Sequence, residues 1–225
     1  TLGSQILFSQ TAATLRAGDQ PSVASGTTIQ DDLYIAGGNV TQAGAVTGDT
    51  IAAGGSVLIS GTTRGDLNVA GGNITVLGAV SDDVRIIGGN ITINSAVAID
   101  VAVLVGQVTI GGSGVGGDVI GAGGSIRSDA PVAGDVRIVG GDVFINAPIS
   151  GSVQIESDNV TIGSGAVISG DFTYTAGKEA TIEEGGKVQE IELAFTDASR
   201  DELKRFKELV VAVYNKIMSL DLTID

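Results

Sequence analysis

An aspartate that recurs once per repeat is the first feature of this sequence that could do chemistry. The spacing is 17 to 19 residues, and the column comprises Asp32, Asp49, Asp66, Asp83, Asp100, Asp118, Asp135, Ser152 and Asp171. Repeats of fixed length stack in solenoid proteins, so these side chains are expected to lie above one another. Carboxylate oxygens suit Ca²⁺, which makes Asp32, Asp49, Asp66 and Asp83 a candidate calcium ladder. The alternative is a turn residue whose carboxylate accepts backbone N–H groups.

Four asparagines begin an Asn-x-Thr triplet: Asn39, Asn73, Asn90 and Asn159. In a secreted protein such triplets are acceptors for N-glycosylation. The repeat also duplicates the triplet by itself, and Asn and Thr ladders stabilise the edges of solenoids. Both interpretations remain open at this stage.

Several classes of chemistry are excluded by residues that the chain lacks. There is no histidine and no cysteine, so Ser-His-Asp triads, imidazole or thiolate metal sites and disulfides are ruled out. The net charge of −14 disfavours nucleic acid as a partner. Repeats of nearly constant length leave no long loops to wall a cleft around a pair of carboxylates. The sequence therefore predicts a protein that is not an enzyme and uses no cofactor.

The repeat itself predicts the fold. Each unit reads approximately Gly-Asp-Φ-x-Φ-Ala-Gly-Gly-x-Φ-Thr-Φ-x-x-x-Φ-x, where Φ is apolar. Alternation within short runs indicates strands with one buried face, and three runs per unit describe a triangular coil. Stacked coils pair in parallel at about 4.8 Å, which gives a rod of roughly 45–50 Å for ten coils. We predict an all-β, right-handed parallel β-helix of ~17-residue coils with a C-terminal α-helix.

Paired glycines recur at one offset in the unit, as in Gly37-Gly38 and Gly54-Gly55. A corner there requires either positive φ or a close approach between layers that a Cβ would obstruct. Phosphate-binding loops also contain such glycines, but no helix follows these, which argues against that interpretation.

The two ends of the chain depart from the pattern. Residues 1–30 are predicted to form an N-terminal arm and a partial first coil, residues 31–195 the solenoid, and residues 196–225 an amphipathic helix. Ser199 to Glu202 fit a capping box, and the apolar residues that follow recur at steps of three and four. The helix either caps the solenoid or mediates association. The candidate self-association residues are Ile6, Leu7, Phe8, Leu203, Phe206, Val210, Val213 and Ile217.

An outward column of threonines suggests a different use of the rod. It contains Thr41, Thr75, Thr92, Thr109 and Thr161, and it is interrupted by Leu58, Arg127 and Phe144. A flat polar array of this kind could bind ice or carbohydrate. An adhesin or glycan-binding stalk is therefore the alternative to a structural role.

The coil pattern over residues 14–190 resembles the bactofilin family of polymer-forming cytoskeletal proteins. The resemblance is carried by Gly170-Asp171-Phe172-Thr173-Tyr174, followed by Ala180-Thr181-Ile182-Glu183-Glu184-Gly185-Gly186. It implies a right-handed β-helix that polymerises end to end, without nucleotide, into filaments that often associate with membranes. Coils such as Ala36–Thr41 are similar to bactofilin-like proteins of archaea and bacteria that often carry a signal peptide and C-terminal membrane segments.

These observations lead to one functional expectation. The chain is expected to be a structural protein that forms a homopolymer or a head-to-head dimer, because the end coils of a solenoid expose unpaired strand edges. Membrane association would come from segments outside this chain. The expected location is extracytoplasmic, at the cell surface, and the alternative is cytoplasmic and membrane-associated.

Overall fold

A computed structural model describes residues 13–188 and the backbone of residues 191–193, and every element in these ranges is a β-strand. The strands are β1 (Thr14–Gly18), β2 (Ser22–Val23), β3 (Thr28–Ile29), β4 (Leu33–Gln42), β5 (Ala45–Val46), β6 (Thr50–Ile59), β7 (Leu67–Val76), β8 (Val84–Val97), β9 (Val101–Val115), β10 (Val119–Ser128), β11 (Val136–Ile145), β12 (Pro148–Ile149), β13 (Val153–Ile162), β14 (Val167–Ile168), β15 (Phe172–Ala176), β16 (Thr181–Ile182), β17 (Lys187–Val188) and β18 (Ile191–Leu193). All the described pairs of strands are parallel, so the predicted parallel β-solenoid is confirmed. The predicted helix at residues 196–225 lies outside the described residues.

The strands form three parallel ladders, so each coil has three faces. Face 1 holds the residues that follow the aspartate column, and its ladder runs through eleven strands in the order β1-β4-β6-β7-β8-β9-β10-β11-β13-β15-β18. Face 2 follows the diglycine, as in the pairing of Val40 with Val57. Face 3 closes the coil through short pairs such as Thr28–Ala45 and through isolated bridges such as Val80–Val97.

The first two faces of most coils belong to one continuous strand, although separate short runs were predicted. In β4, for example, ten residues run from Leu33 to Gln42 through the diglycine. The diglycine bends the strand without positive φ, which is found at other glycines. A Cβ on Gly71 would lie 2.6 Å from the carbonyl oxygen of Gly54 in the coil below. Of the two reasons weighed for the diglycine, close approach between layers is therefore the correct one.

The interior is a stack of thin layers of aliphatic side chains. Two residues from face 1, two from face 2 and one from face 3 point inward, as Leu67, Val69, Ile74, Val76 and Val80 do in one coil. Each is at most 4% exposed. Because every coil repeats the same layer, the layers join into one continuous hydrophobic core.

Departures from 17 residues are absorbed locally. The first described coil has two extra residues at 24–27, and the last has one at 177–180. The single extra residue between Asp100 and Asp118 forms a β-bulge, where Ser95 lies opposite both Gly112 and Ser113, and the φ of Gly112 is +90°. Two extra residues in the penultimate described coil lie in the turn at 163–166, before Val167. From β4 to β13, faces 1 and 2 therefore keep a common register from coil to coil.

No helix among the described residues is long and apolar enough to cross a membrane.

Candidate functional site

The aspartate column is a ladder of hydrogen bonds between coils. Oδ1 of Asp49 accepts the backbone N–H of Asp66 at 2.8 Å, and Oδ1 of Asp118 accepts that of Asp135 at 2.8 Å. The same bond links each successive aspartate from Asp32 to Asp135. The backbone N–H of Ser152 then donates to Oδ1 of Asp135, and Oγ of Ser152 accepts the N–H of Asp171. The aspartates from Asp32 to Asp135 therefore act as turn residues: one carboxylate oxygen of each accepts a backbone N–H group of the next coil.

The residue before each aspartate explains the recurrent Gly-Asp dipeptide. A Cβ on Gly65 or Gly134 would collide with Oδ1 of the aspartate one coil earlier. Where glycine precedes, the ladder bonds measure 2.7–2.9 Å. Where Asp82 or Ile99 precedes, the bonds lengthen to 3.2 and 3.0 Å. Glycine thus lets the backbone approach the carboxylate closely.

Arginines neutralise part of the column. The guanidinium of Arg85 lies 2.5 Å from Oδ2 of Asp66 and 2.5 Å from Oδ2 of Asp83. The hydrogen bond to Asp66 raises the pKa of Arg85 above its usual value, and partial burial opposes the rise. Arg137 lies 3.1 Å from Asp135 and 4.0 Å from Asp118 in the same way. These arginines were not singled out from the sequence, although their position two residues after an aspartate is visible there.

The candidate calcium ladder has its carboxylates stacked as predicted, but their free oxygens differ in environment. Among the residues that the structure describes, Asp66, Asp82 and Asp83 bring three carboxylates within 4.8 Å of one another. Arg85 already binds two of them. At Asp32 and Asp49 no arginine is paired with the column in the described part of the chain. Calcium binding stays a prediction at Asp32 and Asp49. At Asp66 and Asp83 a bound cation would compete with Arg85 for the carboxylates.

The four Asn-x-Thr asparagines lie in one column on the outside of face 2. Asn73 pairs with Asn90 in register, and Nδ2 of Asn90 donates to Oδ1 of Asn73 at 3.2 Å. Nδ2 of Asn159 donates to Oδ1 of Asp142 at 2.7 Å. The column therefore forms side-chain ladders between coils, and glycosylation of these asparagines stays a prediction.

The two ends of the described solenoid differ in chemistry. At the N-terminal end, Arg16 pairs with Ile35 and so lies in the inward row, and its guanidinium donates to the carbonyl of Ser22. At the C-terminal end, Ile182 continues the inward row of Ile162 and is 38% exposed. One end carries a charge in the row that forms the core, whereas the other carries apolar side chains.

Aromatic side chains fill the interior near the C-terminal end. Phe172 and Tyr174 are stacked with ring centroids 5.2 Å apart, and both are buried. The hydroxyl of Tyr174 accepts the N–H of Ala180 at 3.0 Å. These aromatics belong to the motif that resembles bactofilins, and their observed role is to complete the core beneath the last described strand.

The outside of face 1 carries an apolar column that sequence reasoning missed. Its members are Ala36, Ala53, Ala70, Ile87, Leu104, Ala122 and Val139, all exposed or half-buried. The signal was available in the repeat, because the fourth residue after the aspartate is apolar in seven consecutive coils.

All the predicted self-association residues, Ile6, Leu7, Phe8, Leu203, Phe206, Val210, Val213 and Ile217, lie outside the described residues.

Comparison of the chain with models of protein families, with curated proteins and with solved structures gave no match. The structure accordingly establishes a parallel β-solenoid, and the bactofilin resemblance rests on the repeat and the motifs alone.

Proposed function

We propose that this chain is a structural, self-assembling protein, a right-handed bactofilin-like β-helix that joins end to end into filaments or a scaffold. The observation that carries the proposal is the face 1 ladder, whose outermost strands β1 and β18 each have one neighbour among the described residues. A strand edge of this kind is a template for another strand. Because the face 1 pairing is parallel from β1 to β18, a second copy can continue the ladder.

Assembly is expected to begin at the C-terminal end. Ile182 and Val188 extend inward rows there, and burial of such side chains against another copy is favourable. Arg16 at the other end would have to be desolvated, which is costly for a charge that has no ion pair in the described part of the chain. A joint between two C-terminal ends gives a head-to-head dimer, and a joint that also uses the N-terminal end gives a filament.

The proposal assigns the chain no catalytic role and no cofactor. Between adjacent described strands no connection exceeds seven residues, so those connections are too short to wall a deep cleft. Nucleic acid is not proposed as a partner, because the net charge is −14. We propose a location at the cell surface, with a cytoplasmic, membrane-associated location as the alternative. Membrane attachment would then come from segments outside this chain.

Negative-stain electron microscopy of the purified chain, with and without calcium, tests the proposal. We expect particles longer than one solenoid, either paired rods or filaments of uniform width, because the ends associate. Single rods of about 50 Å at all concentrations would contradict it. If the particles became longer or shorter when calcium was added, the aspartate column would also contribute to assembly.

The outside of face 2 favours a second candidate, a glycan-binding stalk. Asn and Thr side chains recur in two columns there, and the threonine column is interrupted by Leu58, Arg127 and Phe144. The guanidinium of Arg127 stacks on Phe144 at 4.2 Å. The half-buried ring of Phe144 lies beside these polar groups, which is an arrangement that could contact a sugar. Co-sedimentation of single rods with insoluble polysaccharide would support this candidate over the structural one.

A further inference from the structure

The apolar column on the outside of face 1 needs a partner. In a sheet with one face in water, the outward row is normally polar, as it is on face 2. The column on face 1 is apolar through seven consecutive coils and therefore spans about 29 Å. The adjacent outward row contains Ile51, Ala102 and Ile120, of which Ile120 is 42% exposed. Its other members in these coils are Tyr34, Asn68, Arg85 and Arg137.

We propose that residues 199–220 of the same chain dock on this column as an amphipathic helix that lies along the solenoid. The segment has apolar residues at steps of three and four, namely Leu203, Phe206, Val210, Val213, Ile217 and Leu220. Helices commonly cover the outer faces of parallel sheets. The inference does not depend on the self-assembly proposed above.

The chain leaves the described structure at the right place. Strand β18 ends at Leu193 in the face 1 ladder, three strands beyond β11, which carries Val139. Three steps of the ladder are about 14 Å. Residues 194–198 can span up to about 17 Å. The linker is therefore long enough to bring Leu203 beside Val139, with the segment directed towards the N-terminal end.

The two spacings match over the whole length. Leu203 and Leu220 are separated by about 26 Å in a helix. The five steps of the ladder from Val139 to Ala53 are about 24 Å. Each apolar residue of the segment thus meets one coil, with an accumulated offset of about 2 Å.

The side-chain sizes are complementary in this register. From Leu203 onwards, the apolar residues of the segment are Leu, Phe, Val, Val, Ile and Leu. From Val139 towards the N-terminus, the column reads Val, Ala, Leu, Ile, Ala and Ala. Phenylalanine and the last two large residues face alanine, and the two valines face leucine and isoleucine. Alternation of large and small residues across facing positions is what close packing requires.

The charges agree as well. Residues 200–216 contain five basic and three acidic side chains, whereas residues 13–188 contain seven basic and eighteen acidic ones. The aspartate column precedes the first inward residue of face 1 and so borders this face. Arg85 and Arg137 pair with four of these aspartates, so the attraction of the basic segment comes mainly from the acidic excess of the whole solenoid.

Paired cysteines test the docking directly, because the chain has none of its own. The full-length variant Ala122→Cys/Phe206→Cys places two cysteines opposite each other in the proposed register. The matched control, Ala36→Cys/Phe206→Cys, separates them by five steps of the ladder, about 24 Å, which no disulfide can bridge. Under mild oxidation of a dilute sample, we expect the first pair to form an intramolecular disulfide at least about tenfold faster than the control.

Equal rates for the two pairs would overturn the proposal, because an undocked segment would reach both positions alike. Cross-linked dimers instead of a closed monomer would also overturn it and would make a second copy the occupant. Hydrogen exchange gives an independent readout. Leu104→Asp should remove the protection of residues 203–220, whereas Leu77→Asp, at an exposed position outside the column, should leave it. Protection that is unchanged in Leu104→Asp, or absent from the unsubstituted chain, would contradict docking.

Discussion

The aspartates of this protein act between coils. Each Oδ1 accepts the next aspartate's N–H group, so the carboxylate satisfies a donor at the point where one coil ends and the next begins. Oδ2 remains for arginine or solvent, as the pairing of Arg85 with Asp66 and Asp83 shows. An asparagine side chain could accept the same backbone N–H through its amide oxygen. The negative charge of each aspartate can therefore be removed without removing the hydrogen bond between coils.

Substitutions at Asp49 should separate the two roles. Asp49→Ala leaves the N–H of Asp66 without its acceptor, so we expect a loss of about 1–3 kcal/mol in the free energy of unfolding. Asp49→Asn keeps an acceptor oxygen and should cost less. Chemical denaturation of both variants measures the difference.

The same pair of variants tests the calcium ladder. If Ca²⁺ binds the column, it should raise the midpoint of thermal unfolding of the unsubstituted chain, and Asp49→Asn should weaken that rise. A midpoint that does not respond to Ca²⁺ in the unsubstituted chain would assign the column a structural role alone.

At the scale of the element, a coil accepts different inward residues as long as their side chains fill its layer of the core. Thr50 replaces the leucine found at Leu33 and Leu67, and Thr63 replaces the valine found at Val46 and Val80. The two hydroxyls are fully buried and lie 3.1 Å apart, so each provides the other's hydrogen bond. Nearby, Gln42 is buried and binds the carbonyl of Gly44 through Nε2 at 2.5 Å. The hydroxyl pair and Nε2 of Gln42 are satisfied in this part of the core, whereas Oε1 of Gln42 is buried without a hydrogen-bond partner among the described residues.

A double-mutant cycle on the threonine pair measures this coupling. Thr50→Val or Thr63→Val alone leaves one buried hydroxyl unpaired and should cost about 1–3 kcal/mol. The double variant restores the valine-like layer of the neighbouring coils and should be close to neutral. Additive losses in urea denaturation would show that the hydroxyls act independently.

The sequence predicts much of the coil because the repeat samples each position many times. The period, the inward rows and the parallel pairing all follow from the alternation of apolar residues and the constant spacing of the aspartates. The continuity of faces 1 and 2 could not be predicted, because glycine permits either a break or a bend, and the carbonyl of Gly54 beneath Gly71 is visible only in three dimensions. The arginine pairs were missed for a similar reason, since Arg85 reaches both its own coil and the previous one.

At the scale of the whole molecule, the rod has two unlike ends and three unlike sides. Face 2 is polar and face 1 carries an apolar column, so the sides are suited to different contacts. Both ends expose an edge of the same face 1 ladder. An inward row ends in Arg16 at the N-terminal end and in Ile182 at the C-terminal end. A helix on face 1 would leave the C-terminal edge accessible, so docking and end-to-end assembly are compatible.

The most direct test of the central claim compares two substitutions by sedimentation velocity. Ile182 faces the C-terminal end and is 38% exposed, and Val167 faces outward on face 3 and is 40% exposed. We predict that Ile182→Asp converts the assembled species to single solenoids, because a carboxylate would have to be desolvated in the joint, and that Val167→Asp leaves assembly unchanged. Loss of assembly in Val167→Asp with retention in Ile182→Asp would place the contact on the side of the rod and contradict end-to-end association.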